Sequence, residues 1–383
     1  MKIIKRIKSF FAHEKAGGIV LISCTVLSLV LSNSTLKDVY QAVWHTPLRQ
    51  QSVEYWINDG LMAAFFLLIG LELKREIYQG ELSNIREAFL PIFGALGGML
   101  VPAGMYVLFN IGTNTQGGAG IPMATDIAFA LGILSLLGNK VPTSLKIFLT
   151  ALAVIDDLGA IIVIALFYTQ TLILSNLLIA LSIFMVLLIF NYFKIRFLII
   201  YLLGGIAMWY FMLHSGVHAT ISGVLLAFAI PFQNGSEKAA SYKLGQFLHF
   251  PVTFFILPLF ALANTAITLE GQISEMLLQP YSIGILCGLF IGKPLGILIF
   301  SYIATKIKLC QLPTEINWQH IFGVGILGGI GFTMSIFITL LSFEQTDIIN
   351  NSKLTILISS TLSSLVGLLV LKLTLKEEQA IDR

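Results

Sequence analysis

Two carboxylates stand side by side in the run Ala153-Val154-Ile155-Asp156-Asp157-Leu158-Gly159-Ala160, which is otherwise apolar. Hard cations prefer oxygen ligands, and two close negative charges raise the affinity of a site for a proton and for a cation alike. Successive helical residues point about 100° apart, so one acid can face a cavity while the other faces a neighbouring helix. An ammonium lies in a second apolar run, at Gly292-Lys293-Pro294-Leu295-Gly296, and a third acid, Asp126, follows Pro122-Met123-Ala124-Thr125. The chemistry on offer is exchange of a proton and a small cation at acidic oxygens, with a lysine to balance charge. The plain alternative is a buried ion pair that only fixes packing.

The elements that must hold these groups follow from composition. By length alone 383 residues would make two or three soluble domains, but 56% apolar content, 11% charge and a mean hydropathy of +0.88 belong to a polytopic membrane protein. With about 20 apolar residues per span, nearly the whole chain is bundle, a single domain over 1–383. A secreted enzyme, a disordered scaffold and a nucleic-acid partner are excluded. Cys24 and Cys287 fall in apolar runs, Cys310 falls in a loop, and no CxxC or His-rich spacing occurs. Neither a disulfide, a structural zinc nor any other cofactor is expected.

Apolar runs predict an all-α chain of twelve spans, near 16–32, 58–77, 88–110, 121–137, 144–168, 172–191, 196–213, 216–231, 247–268, 281–304, 321–342 and 354–375. The first follows a basic tail (Lys2, Lys5, Arg6, Lys8, Lys15) and is read as an uncleaved helix, since no convincing cleavage site follows Leu31. An even count places both termini on one side. Lys and Arg then segregate: 19 of 23 fall on the presumed cytoplasmic side, Lys37, Arg49 and Lys353 fall outside, and Lys293 lies within a span. The longest outer loop is predicted over Asn33 to Ile57, and a solvated inner loop over Phe232 to Gln246.

Depth brings the charges together. Asp156 lies 12 residues after Ser144 and Lys293 12 residues after Tyr281, each about 18 Å from its helix end in a core about 30 Å thick. An ionised side chain there costs at least about 2.5 to 3.5 kcal/mol on insertion scales, so the two are expected to pair. Gly284, Gly288, Gly292 and Gly296 recur every fourth residue and would let another backbone approach closely, which we take as the means by which a short Asp reaches the ammonium. The short, polar-interrupted fourth span and the glycine-broken eleventh (Gly323, Gly325, Gly328, Gly329, Gly331) each sit in the middle of a three-helix set. That layout fits inverted repeats of spans 3–5 and 10–12 with discontinuous helices 4 and 11.

Further motifs are Trp56-Ile57-Asn58-Asp59-Gly60-Leu61-Met62-Ala63, Gly70-Leu71-Glu72-Leu73-Lys74-Arg75-Glu76, Ala124-Thr125-Asp126-Ile127-Ala128-Phe129-Ala130 and Gly216-Val217-His218-Ala219-Thr220. Taken with the Asp pair and Gly-Lys-Pro, in this order, they resemble the NhaA family of bacterial sodium/proton antiporters, from the second span to the eleventh. The resemblance implies crossing unwound chains in spans 4 and 11, with Asp126 neutralising two positive helix ends and Lys293 the negative ones. It implies that Asp157 is the principal Na⁺ and H⁺ carboxylate, that Asp156 bonds Lys293 in the proton-loaded state and that Thr125 lines the site. Asp126 stays open between charge compensator and ligand, and Thr125 between site residue and helix cap. Glu72, Arg75, Glu76 and His218 are the pH-sensing candidates. The trio is equally readable as a solvated helix end, His218 as a plain hydrogen-bonded histidine and Asp59 as a packing or outer-mouth residue.

What the resemblance implies overall is electrogenic, pH-regulated export of Na⁺ and Li⁺ against H⁺ by alternating access, in the lipid bilayer of a bacterial inner membrane, by a transporter and not an enzyme. A homodimer is among the implied partners, although the first outer loop is short and Pro47 to Tyr55 offers little more than a tight ribbon. The run Gly245-Gln246-Phe247-Leu248-His249 lacks an acid that some relatives carry there, which predicts a shifted or weaker pH response. Rival classes fit less well. An intramembrane aspartyl protease needs its acids on separate helices and has no use for a mid-membrane lysine; an organic-anion symporter need not combine the Asp pair with Lys293; a channel would carry a pore-loop filter run.

Overall fold

Apolar runs deprived of water must satisfy their backbone groups internally, and a helix does so within one segment. The computed structural model describes residues 14–49, 51–169, 172–233, 236, 239–269 and 273–381. Lys2, Lys5, Arg6, Lys8, Gly235, Glu237, Lys238 and Arg383 lie outside them. The chain is a helical, multi-pass membrane protein. Among the described residues eight helices are long and apolar enough to cross a membrane, or up to ten if each of two bent pairs is one span. The other two segments predicted from the sequence hold the shorter helices Leu198–Leu213 and Ile221–Ala229.

Several boundaries differ from expectation. The long outer loop holds a helix, Lys37–His45, bent 117° from the first, and a two-residue ribbon that pairs Pro47 with Ser52 and Leu48 with Gln51. The search for long apolar runs passed over that helix because it is only nine residues long and amphipathic. The ninth segment starts at Ala240, well before 247, and runs to Asn264, so much of the predicted inner loop is helix. The last helix starts at Thr346, which carries Lys353 from its expected outer loop into the bundle, where it is 5% exposed.

Two features shape the helix Pro280–Lys306. Pro294 has no N–H for the carbonyl four residues back and its ring crowds that carbonyl; the turn immediately before Lys293, Gly288–Gly292, is widened into a π-helix, a distortion common at functional sites. The same pairing recurs at Val252–Ile256, ahead of Pro258. The glycine stripe faces the helix Ile85–Asn110: a Cβ on Gly296 would strike the carbonyl of Gly97, and one on Gly97 that of Gly296. This corrects the expected purpose of the stripe. It docks the lysine helix on Ile85–Asn110, not on the helix Thr143–Phe167 that carries the Asp pair.

Candidate ion-binding site

Two breaks in helical structure build the site. The 3₁₀ segment Gln116–Met123 gives way at Ala124 to extended backbone before the helix Ile127–Ser135. Trp318–Gly328 and Phe332–Ser342 are bent by 48° across Gly329 to Gly331. The two breaks bind each other: the Asp126 N–H donates to the Ile330 carbonyl (2.7 Å), and the Ser335 hydroxyl to the Ile121 carbonyl (2.7 Å). Each break exposes the positive end of one helix and the negative end of another.

Asp126 stands at the positive ends. As N-cap of Ile127–Ser135 its Oδ1 accepts the Phe129 N–H (3.0 Å), while Oδ2 accepts the N–H (3.2 Å) and the hydroxyl of Thr333, in the first turn of Phe332–Ser342. One carboxylate therefore caps two helices. Lys293 stands at the negative ends. Its Nζ donates to the Met123 carbonyl and lies 2.9 Å from Asp156 Oδ2, with neither side chain exposed; its Cε comes within 3.9 Å of where Gly328, the last residue of Trp318–Gly328, would carry a Cβ.

Thr125 Oγ1 lies 2.8 Å from Asp156 Oδ2 and 2.9 Å from the Gly328 carbonyl. Its one proton serves one of these acceptors at a time, the Asp156 carboxylate or the Gly328 carbonyl across the break. Asp157 differs from its neighbour: at 1% exposure, neither of its oxygens meets a hydrogen-bond donor among the described residues. The charges of Asp156, Asp126, Lys293 and Glu72 all lie within electrostatic reach of it. An unpartnered carboxylate buried among hydrogen-bonded ones is costly unless it takes up a cation or a proton. The 100° offset between adjacent residues thus separates a structural acid from one with open valences.

The remaining sequence candidates lie elsewhere. Glu72 and Arg75 line a pocket of about 290 Å³ with Gln79, Tyr242, Gln246 and His249, and Arg75 Nη2 meets Glu76 Oε1 at 3.5 Å. His218 belongs to neither cluster; its Nε2 sits 2.8 Å from the Tyr168 carbonyl. The main chain of Asp59 accepts the Trp209 indole N–H at 3.0 Å. Lys74, expected among the charges of the inner surface, is 4% exposed. Its Nζ donates to the carbonyls of Ile230 (2.6 Å), Phe228 (2.8 Å) and Ala227 (3.3 Å), capping the end of Ile221–Ala229.

Sequence reasoning missed the Met123, Gly328 and Ile330 carbonyls, which have no side-chain signature. It also missed Thr333, whose only signal was a hydroxyl two residues after Gly331.

A family model described as Na+/H+ antiporter 1 matches residues 8–371. A Na(+)/H(+) antiporter NhaA of Flavobacterium psychrophilum is 66% identical over 98% of this chain and 98% of its own. Na(+)/H(+) antiporter NhaA 1 of Flavobacterium johnsoniae is 60% identical over 97% and 98%, and the NhaA of Cytophaga hutchinsonii 56% over 98% and 97%. Among solved structures, the sodium proton antiporter MjNhaP1 of Methanocaldococcus jannaschii aligns over 97% of both chains with a TM-score of 0.52 at 15% identity, a likeness of fold.

Proposed function

Because this chain belongs to the Na+/H+ antiporter 1 family, we propose that it is a secondary active transporter that exports cytoplasmic Na⁺, and Li⁺, in exchange for external H⁺, with Asp157 as the exchanging carboxylate. The observation that carries this is the contrast within the Asp pair: Asp156 is held by Lys293 and Thr125, while both oxygens of Asp157 are buried and unpartnered.

Both ions want the same oxygens. When Asp157 is ionised beside Asp156, repulsion between them favours whatever neutralises it, a proton or a sodium ion, and the two compete. Carboxylate oxygens, with the Thr125 hydroxyl and backbone carbonyls near the breaks, suit a hard cation. An empty, fully charged site is too costly to desolvate, so only loaded forms cross between inward- and outward-open states, and sodium leaves as protons enter. Exchanging more than one proton per sodium makes the cycle electrogenic, each net charge being driven by about 2.3 kcal/mol per 100 mV.

The same proposal takes the chain as twelve spans in a bacterial inner membrane with both termini cytoplasmic. Spans 3–5 and 10–12 form inverted repeats, with spans 4 and 11 discontinuous. Asp126 and Lys293 compensate the helix ends at the crossing, and Asp126 contributes to the site through its charge. The pocket beside Glu72 and Arg75 is the cytoplasmic entrance, and those residues with Glu76 tune the pH response. His218 is at most a remote contributor to that tuning. The short ribbon at Pro47–Leu48 and Gln51–Ser52 offers a small contact surface for a homodimer.

The deciding experiment uses everted vesicles with an imposed pH gradient, to which Na⁺, Li⁺ or K⁺ is added across a pH series. Dissipation by Na⁺ and Li⁺ but not K⁺ is expected; no response to Na⁺ at any pH would sink the proposal.

A further inference from the structure

Glu54 and Arg75 lie at opposite ends of the span Val53–Tyr78, and each lines a cavity. The Arg75 pocket is the proposed cytoplasmic entrance. The other cavity, about 460 Å³, therefore opens at the opposite face; Lys37, His45, Glu54, Asn350 and Lys353 are among its lining residues.

Lys353 is a buried charge that the ion site does not use. Its Nζ lies 3.4 Å from Asn264 Oδ1, and no carboxylate among the described residues comes within 4.0 Å of it. Asn264 has no exposed surface and donates to Asn58 Oδ1 at 2.8 Å. An ammonium on the last helix, Thr346–Ile381, is thus tied through two amides to Leu257–Asn264 and to the π-turn Trp56–Leu61.

Beneath this chain lie aromatic rings. Ala263 and Leu340 line the cavity, and three residues deeper on the same helices stand Phe260 and Phe337. The ring of Phe337 packs against Phe66 (5.4 Å between centroids) and Phe260 (6.5 Å), all three buried. One turn beyond Phe337 is Thr333, which donates to Asp126. Cavity, ammonium, rings and ion site follow one another along these helices.

We propose that this cavity is the outer vestibule of the ion path and that Lys353 gates it. Held by Asn264, which Asn58 holds in turn, its charge turns cations back while its hydrogen bond ties the last helix to its neighbours, and the rings of Phe66, Phe260 and Phe337 close the way below. Glu54, on the vestibule wall, draws cations in. The inference rests on the antiport reading of Asp157.

The test is sidedness. Apparent KM for Na⁺ is measured at the outer face in right-side-out vesicles and at the inner face in everted ones. Lys353→Gln removes repulsion and releases a contact that favours the outer-closed form, so outer KM falls by a factor of roughly 5 while inner KM does not fall. Lys353→Arg keeps wild-type values, and Glu54→Gln raises outer KM. The proposal is overturned if Lys353→Gln leaves outer KM unchanged or lowers both faces equally, or if Lys353→Arg behaves like Lys353→Gln. Should Lys353→Gln fail to fold, Glu54→Gln decides alone: a raised outer KM supports the vestibule and an unchanged one refutes it. A wild-type chain without sodium-dependent proton movement overturns the antiport reading; normal transport with unmoved outer KM overturns the gate alone.

Discussion

Lys293 and Asp156 form an ion pair at 2.9 Å in which neither side chain has exposed surface. Burying two ions costs several kcal/mol each, and their attraction offsets this only when geometry is good and other valences are met. Here the ammonium also donates to Met123 and Asp156 Oδ2 also meets Thr125, while Asp156 Oδ1 has no partner among the described residues. The pair therefore does more than pack helices: it joins the broken segment around Met123 and Thr125 to the lysine and aspartate helices, and it leaves Asp157 as the acid with neither oxygen partnered.

Asp157→Asn is expected to abolish Na⁺-dependent proton movement in vesicles while preserving folding, because neither oxygen holds a partner that stabilises the fold. Wild-type-like exchange by this variant would remove Asp157 from the mechanism.

Breaking the ion pair from one side is a different matter. Lys293→Met leaves Asp156 buried and uncompensated, and a loss of about 3 to 5 kcal/mol is expected. Adding Asp156→Asn to Lys293→Met should recover part of that loss. Thermal unfolding in detergent of the two single variants and the double variant closes the cycle; strictly additive losses would mean that the two side chains do not interact.

Competition at one carboxylate sets the sign of the pH effect. As pH falls, protons hold Asp157 and displace sodium, so apparent KM for Na⁺ should rise by about tenfold per pH unit for one competing proton. At saturating Na⁺ the rate should change far less over the same range. A KM that stays flat while only the maximal rate changes would point to separate sites.

Gly296→Val places a branched side chain against the Gly97 backbone of a neighbouring helix. Backbone yields poorly, and overpacking of this kind costs about 1 to 3 kcal/mol or more. A fall in the yield of folded protein is expected, measured by size-exclusion chromatography, whereas Gly245→Val, with nothing within 4 Å of its Cβ position, should express normally.

Lys74→Met should cost about 1.5 to 3 kcal/mol, since it strips a charged donor from three carbonyls at the end of Ile221–Ala229. Arg75→Met, at the rim of the neighbouring pocket, should change thermal stability little. Equal losses in the two variants would contradict the capping role.

Sequence by itself determined the class of protein, the long apolar segments that become helix and the shared depth of Asp156 and Lys293, because hydropathy, charge segregation and rise per residue are properties of the linear chain. It also exposed the weak points at Pro122 to Asp126 and Gly328 to Gly331, where poor helix formers interrupt apolar runs. Tertiary structure alone decided which helix the glycine stripe meets, that Lys74 and Lys353 are buried, and which acid of the pair is left unpartnered. Those outcomes depend on backbone carbonyls such as Met123, Gly328 and Ile330, which every residue carries and no sequence distinguishes, and on helix rotation, which sets whether a side chain one position further along meets an ammonium or none.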